Sequence, residues 1–330
     1  METFFKNVPL KRYQIIVLFV FPISVFAQRI ENESLLRSIH SDHYFRFYYE
    51  NDFIAITDYY YTSGMNIELV KPSFKKNPLN KVFFRLPGSK MKYGLALDHY
   101  AFTPLHIIYS DILYGDRPYA GCISLNSFRI ATDEKKRRQI STSLVIGLIG
   151  PSTYWEPVQT FLHKRLIPAP QPKGWDNQIQ NDLILNYKIN IEKNFINAGS
   201  FLLNGNVEAI AGTMNDKLST GLSVMIGKMN DPFQFYETIE RKNWELYFFG
   251  HSFVNAIAYD ATLQGGMLNR KSPYTLSISQ INHLTFQNQI GLMFHHKKFS
   301  IELSESFLSK EFKTGVKHIW GGIGLGFELK

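Results

Sequence analysis

Ile319-Trp320-Gly321-Gly322-Ile323-Gly324-Leu325-Gly326-Phe327-Glu328-Leu329, at the C-terminal end of the chain, is the stretch that decides the fold. Successive side chains of an extended strand point to opposite faces, so Ile319, Gly321, Ile323, Leu325, Phe327 and Leu329 share one face. Trp320, Gly322, Gly324, Gly326 and Glu328 share the other, and its small residues suit a crowded lumen. The segment just before repeats the pattern: Ile301, Leu303 and Phe307 point one way while Ser300, Glu302, Ser304 and Ser306 point the other. One face is greasy and the other wet.

Working back from there, the same period of two marks strands near 43–53, 60–71, 91–101, 117–130, 139–149 and 179–191. It marks a second half near 198–211, 217–228, 242–259, 280–295, 299–308 and 316–329. Polar or Gly/Asn/Asp-containing turns separate them. The count of about twelve is even and the strands reach the C-terminus, as in a transmembrane antiparallel up-and-down β-barrel, where every backbone hydrogen bond is satisfied internally. A soluble two-sheet sandwich uses the same alternation with its greasy faces turned inward. The barrel is the expected fold, as one domain over residues 28–330.

Composition agrees. The 330 residues are 45% hydrophobic, 15% aromatic and 19% charged with a single cysteine, which excludes a disordered or disulfide-stapled chain. Beyond the N-terminus no apolar run approaches the roughly 18 residues of a membrane-spanning helix. Lys6, Lys11 and Arg12 precede the apolar stretch from Ile15 to Phe26, and Val25-Phe26-Ala27 offers a signal-peptidase site, so residues 1–27 read as a cleaved signal peptide. The rival reading of that stretch is a lone anchoring helix, for which it is short and carries Pro22. Cys122 then reads as a small wall residue. The net charge of +8 comes without a compact basic-aromatic motif, so nucleic acid is not an expected partner.

If the strands run up and down from a periplasmic N-terminus, connections after odd-numbered strands lie on the outer rim. That set includes 52–60, 102–116, 150–178, 260–279 and 309–315. The inner set includes the basic turn Lys135-Lys136-Arg137-Arg138, the short His295-His296-Lys297-Lys298, and two longer connections near 72–90 and 229–241. Within 150–178, Val158, Phe161, Leu162 and Arg165 recur at helical spacing. A short helix is expected there, entered after Pro157 and stopped before Pro168, with Gln159 and His163 four apart on one face.

This sorting gathers the most polar strings on one rim: Glu50-Asn51-Asp52, Tyr61-Thr62-Ser63-Gly64, Asp98-His99-Tyr100, Asp116-Arg117-Pro118-Tyr119, and Gln159 with His163. A carboxylate, a carboxamide, a hydroxyl and an imidazole there are the parts of a hydrolytic site, in which His takes a proton from water while a cation or amide stabilises the oxyanion. Taken singly each has a plainer reading: Asp52 caps loops as readily as it binds metal, and Thr62 is an ordinary strand residue. Elsewhere, Gly250-His251-Ser252 puts His and Ser on opposite strand faces, without a G-x-S-x-G elbow. His295-His296 is read as lacking acidic or Cys partners for a metal.

Asn51-Asp52, Tyr61-Thr62-Ser63-Gly64, Asp116-Arg117-Pro118-Tyr119-Ala120-Gly121 and Gly147-Leu148-Ile149-Gly150-Pro151, followed by Val158-Gln159 and His163, resemble the ordered motifs of the outer-membrane lipid A 3'-O-deacylase family. Trp175-Asp176-Asn177-Gln178-Ile179, the segment Tyr259 to Gly265 and Glu311-Phe312-Lys313-Thr314-Gly315 extend the resemblance over nearly the whole chain. The resemblance implies a twelve-stranded outer-membrane barrel of a Gram-negative cell that hydrolyses the 3'-linked acyloxyacyl ester of lipid A and depends on calcium. It implies His163 as the base that activates water, Asn51 and Asp52 on the metal and oxyanion side, and Thr62 and Gln159 lining a site outside the wall under the helix. Lipopolysaccharide and outer-membrane lipids are then the expected partners, and the protein is expected to be a monomer.

Two positions depart from that family pattern. It has a functional lysine in the loop after the third strand, where residues 102–116 hold only His106 as a cation, and a glutamate six residues after the His, where this chain has Ala169. Basic residues elsewhere on the outer loops, Lys164, Arg165, Lys173, Arg270 and Lys271, are candidates to meet lipid phosphates. A non-enzymatic channel or structural barrel, and a barrel phospholipase using the same histidine, are the competing functional readings.

Overall fold

The computed structural model describes residues 39–55, 59–165, 169–235, 237 and 241–329; the expected signal peptide and its cleavage site lie outside the described residues. The alternating segments form β1 (Tyr44–Asn51), β2 (Tyr60–Val70), β3 (Lys90–Thr103), β4 (Ala120–Asp133), β5 (Arg138–Ile149) and β6 (Asp182–Asn197). They continue as β7 (Phe201–Gly212), β8 (Asn215–Lys228), β9 (Trp244–Asp260), β10 (Leu284–His296), β11 (Phe299–Leu308) and β12 (His318–Glu328). Neighbours in the chain pair antiparallel, and β1 also pairs with β12 from Tyr44↔Glu328 to Asn51↔Gly321, closing the barrel.

Which face looks inward settles barrel against sandwich. Along β6, Asn186, Lys188, Asn190 and Glu192 are buried inside while Leu183 and Leu185 stand 57% and 51% exposed on the outside. On β9, Phe248 is 65% exposed while Glu245 and His251 are buried. Polar lumen and apolar exterior are the inverse of a soluble sandwich and match a wall in contact with lipid. Among the described residues no helix is long and apolar enough to cross a membrane.

Both ends of the sheet, Tyr44 and Glu328, lie at one end of the barrel, where the connections 134–137, 198–200 and 297–298 are short. The long connections 104–119, 150–181 and 261–283 lie at the other end, which is therefore the extracellular one. There the lumen is filled. Tyr61, Phe102, Cys122, Ile149, Ile184, Leu308 and Trp320, from strands all around the wall, form one buried cluster. Above it the Arg117 guanidinium bonds the Glu311 carboxylate and donates to Thr262 Oγ1 at 2.6 Å, tying three outer connections together across the mouth.

Strand bounds differ from expectation where side chains have other work. β4 begins at Ala120 rather than 117, because Arg117 is held across the mouth and Pro118 has no N–H to give a ladder. β6 runs from 182 to 197 rather than 179 to 191. β10 begins at Leu284 rather than 280, with Ile281 making only an isolated bridge to Phe312. The reading of His295 is corrected more substantially. Its ring nitrogens lie 3.2 Å from Glu245 and 3.5 Å from Glu328, carboxylates brought by β9 and β12 from far along the chain. His251 points inward and Ser252 outward to Asn288, on opposite faces as read.

Candidate active site

The alternation of β1 separates its last polar residues. Glu50 points into the lumen, accepting from Tyr61 Oη at 2.8 Å and Trp320 Nε1 at 2.9 Å, and belongs to the packed interior. Asn51 points outward at the extracellular rim, opposite Ser63 and Gly321. Its Oδ1 accepts from the Phe53 amide at 2.7 Å and its Nδ2 donates to Tyr49 Oη at 3.0 Å. The chain then makes a 3-10 turn, Asp52–Ala55, which folds over the outside of β12. A Cβ on Gly321 would lie 2.3 Å from Ile54 Cγ2, so only glycine lets the turn lie there.

Asp52 is buried, and its Oδ2 accepts from the Tyr59 amide at 2.7 Å, holding the chain where it returns into β2. Burial and the Asp52 carboxylate both push the Tyr59 hydroxyl above its usual range. Asn51 and Asp52 offer oxygen donors alone, the kind a hard cation prefers. Among the described residues no group of three or more His, Cys, Asp and Glu side chains could enclose a metal. A calcium ion here would fit in donor type, with most of its six to eight oxygens coming from carbonyls, water or substrate.

Thr62 occupies a bulge. The β2–β3 register shifts between Tyr61 and Ser63, and the extra residue turns Thr62 against Thr103, with the two Oγ1 atoms 2.7 Å apart and both side chains buried. Thr103 lies on the same face of β3 as Ala101, which packs with Tyr119, Trp155 and Trp175 in a cluster on the outer wall. Thr62 therefore shares a stretch of outer wall with the helix that covers it.

That helix is α1, Trp155–Arg165. It starts three residues earlier than a helix entered after Pro157, with Pro157 inside the first turn, where an amide N–H has no intrahelical partner to lose. The wall accepts it at Gly121, where a Cβ would lie 2.9 Å from Trp155 Cδ1. His99, outward on β3, donates from Nε2 to the Thr153 carbonyl at 2.9 Å and lays its ring 4.4 Å from that of Trp155. The buried residues of α1 are Trp155, Gln159 and His163, each one turn from the last. Of the residues at helical spacing, Val158 packs against the cluster of Ala101, Tyr119, Trp155 and Trp175, while Phe161 is 58% exposed.

Two hydrogen bonds fix what that buried face offers. The indole Nε1–H of Trp175 can only donate, and it does so to Gln159 Oε1 at 2.8 Å. The Gln159 amide nitrogen therefore points away from Trp175, and among the described residues it is buried without a hydrogen-bond partner, as is Trp155 Nε1 one turn earlier. The Pro170 carbonyl can only accept, so the 2.7 Å contact with His163 Nδ1 puts the ring proton on Nδ1. In the neutral ring the lone pair is then on Nε2.

The segment that supplies Pro170 is in turn braced by the preceding rim loop, through Lys173 N to Ile107 O at 2.9 Å and Asn177 Nδ2 to Ser110 O at 2.8 Å. The expected site residues thus fall on one outer face at one rim, over β1 to β4. Asn51 and Asp52 leave from the end of β1, and α1, which carries Gln159 and His163, contacts the wall at β4. Thr103 and Pro170 escape the sequence reading as supports of this face, and His99 and Trp175, named there in a rim string and a motif, have no such role in it. Only Trp155 has a legible signal, its four-residue spacing from Gln159. Of the other rim strings, Asp98 turns into the lumen to meet Asn66 at 3.0 Å, and Asp116 caps the amides of Leu105 and Arg117.

The family model described as Outer membrane protein LpxR matches residues 14–329. Among solved structures the fold is similar to LpxR from Salmonella typhimurium, at 16% identity over 87% of this chain and 100% of that one, with a TM-score of 0.69. The β domain of the Bordetella autotransporter BrkA aligns at 8% identity over 87% of this chain and 99% of that one, with a TM-score of 0.46. No curated protein matches the sequence.

Proposed function

Since the chain belongs to the LpxR outer membrane protein family, we propose that it is a lipid A 3'-O-deacylase, a carboxylic ester hydrolase that removes the 3'-linked acyloxyacyl group in the outer leaflet. The observation that carries the reading is the buried face of α1, where the Gln159 amide nitrogen stands unpartnered one turn from a histidine whose Nδ1 is bonded to a carbonyl. A donor for an oxyanion and a lone pair for a water proton are the two things ester hydrolysis asks of a protein.

In this mechanism His163 Nε2 takes a proton from water as the water oxygen bonds the ester carbonyl carbon. The imidazolium formed keeps its Nδ1–H on Pro170, and the carbonyl oxygen, now an oxyanion, receives the Gln159 Nε2–H, with Trp155 Nε1–H as a second donor. Collapse breaks the bond to the sugar oxygen, which takes the proton back from His163 Nε2. The products are a free 3'-hydroxyl and the released carboxylic acid. Thr62, held by Thr103, lines the wall beside the helix. Calcium, held by Asp52 and Asn51, would supply positive charge to the polarised carbonyl.

The lipid reaches the site sideways, between the apolar wall and the exposed greasy side of α1 carrying Phe161. Lys173 takes the place of the absent rim lysine, because its backbone is bonded to Ile107 of the very loop that has no Lys or Arg. All of these residues come from one chain, which acts as a monomer. The test is expression of wild type and His163→Ala in a host of defined lipid A with calcium present, followed by mass spectra of the lipid. Loss of an acyloxyacyl mass only with wild type is expected. Unchanged spectra from both proteins, each folded in the outer membrane, would reject the assignment.

A further inference from the structure

The periplasmic connection 71–89 does not behave as a turn. It folds back over the outside of the barrel and is clamped to the wall: Arg129, outward on β4, donates to the Asn80 carbonyl at 3.2 Å and to that of Phe84. Asn77 Nδ2 donates to Ser127 Oγ at 3.0 Å, and Tyr187 Oη on β6 donates to the Val82 carbonyl at 2.8 Å. Leu86 is buried against Ala131 and Ile140 of the outer wall. Between this strap and the ends of β3 and β4 lies a cleft of about 690 Å³. It is lined by Lys75, Lys76, Lys81, Arg85, Lys92 and Arg129, with Asp42 as its one carboxylate.

Lys92 and Arg129 are committed to backbone carbonyls. The four strap cations are exposed, and among the described residues none of them forms an ion pair. Beside them Val82 and Phe84 stand 58% and 55% exposed, at the periplasmic end of a wall that faces lipid. Concentrated positive charge next to unpaired apolar side chains, at the level of a leaflet surface, matches an amphiphile with an anionic head.

We propose that the cleft between the 71–89 strap and the barrel wall binds the phosphate headgroup of an anionic glycerophospholipid of the periplasmic leaflet, with Lys75, Lys76, Lys81 and Arg85 on the phosphate and Val82 and Phe84 against the acyl chains. This site lies at the opposite end of the barrel from α1, takes a different lipid and requires no chemistry.

The test titrates the full-length folded protein in detergent with phosphatidylglycerol, phosphatidylcholine and soluble sn-glycerol 3-phosphate, and counts bound lipid by native mass spectrometry. Wild type is expected to retain phosphatidylglycerol over phosphatidylcholine. Changing Lys75, Lys76, Lys81 and Arg85 to Gln is expected to weaken it by about five-fold per charge removed. A control changing Lys135, Lys136, Lys297 and Lys298 to Gln removes as much charge from the same rim and is expected to retain it. Equal retention by the strap variant, equal loss by the control, or sn-glycerol 3-phosphate binding as tightly as the lipid would each overturn the proposal. Wild type alone gives a second arm that does not depend on any variant folding: a photoreactive phosphatidylglycerol should label 71–89, and labelling confined elsewhere also overturns it.

Discussion

Gln159→Glu separates the two faces of one side chain. In the native protein Oε1 accepts the Trp175 indole proton at 2.8 Å and Nε2 is a buried donor without a partner. A glutamate keeps the acceptor, and so keeps Trp175, but replaces the donor with an oxygen that repels an oxyanion. Removing one oxyanion donor costs roughly 10²–10³ in kcat, about 3–4 kcal/mol of transition-state stabilisation. Gln159 is buried, so the new carboxylate also costs stability through desolvation. Gln159→Leu, by contrast, loses the donor and also strands the buried indole N–H, which adds about 1–3 kcal/mol of destabilisation. The assay is acyl release from purified lipid A in mixed micelles with calcium present, read as initial rate by mass spectrometry alongside urea unfolding followed by tryptophan fluorescence. The expected pattern is a kcat at least about 10²-fold below wild type in both variants, with both less stable than wild type. A Gln159→Glu enzyme within about three-fold of wild-type kcat, well inside that 10²-fold floor, would refute the reasoning, because a required donor cannot be exchanged for a carboxylate at so small a cost.

Asp52→Asn keeps the shape that accepts the Tyr59 amide but removes the carboxylate, so activity should require much higher calcium while the turn survives; equal calcium dependence in the two proteins would remove Asp52 from the metal side. Lys173→Ala should raise KM for phosphorylated lipid A by roughly five- to ten-fold, the scale of one charge-assisted hydrogen bond at an exposed site, with KM for a dephosphorylated lipid unchanged. His40 is held neutral in the periplasmic mouth, its pKa pushed down to about 4 by burial. Its folded value lies below its unfolded one, so the stability it contributes is present above about pH 6.5 and is lost as pH falls toward 4, by at most about 3 kcal/mol. Urea midpoints at pH 7 and pH 4.5 check this, and His40→Gln should flatten the difference.

The barrel was legible because lipid forces the strand period into the open: each wall segment must put apolar side chains outward and tolerate polar ones within, as Leu183 and Glu192 do on β6. The rim position of Asn51, Gln159 and His163 followed from strand parity alone. Parity could also have turned Glu50 inward, since it neighbours Asn51 on a strand. Other features depend on contacts that local pattern does not encode. The bulge that turns Thr62 to Thr103, the capture of Arg117 by Glu311 far along the chain, and the carboxylates that flank His295 are all set by which strands become neighbours after closure. The spacing of Val158, Phe161, Leu162 and Arg165 marks a helix without saying which side meets the wall: Val158 packs there and Phe161 stays exposed, because outside a membrane barrel the rule of water inverts and polar side chains such as Gln159 and His163 need cover.

That inversion bears on function. At the extracellular end the lumen is packed with the buried cluster of Tyr61, Phe102, Trp320 and their neighbours, with Arg117 bonded across the mouth above them. An open channel needs that space, and polar side chains there would be free to face water. Under α1, on the outer side of the wall, the Gln159 and Trp155 donors are buried with no hydrogen-bond partner among the described residues. Burying such donors unpaired costs about 1–3 kcal/mol each, a cost that packing alone would remove by substituting apolar residues. Retaining them on a lipid-facing wall is accounted for by a substrate that brings its own acceptor oxygens, enters from the membrane and leaves again. A lipid ester meets all three conditions. A solute passing through the barrel would never reach them.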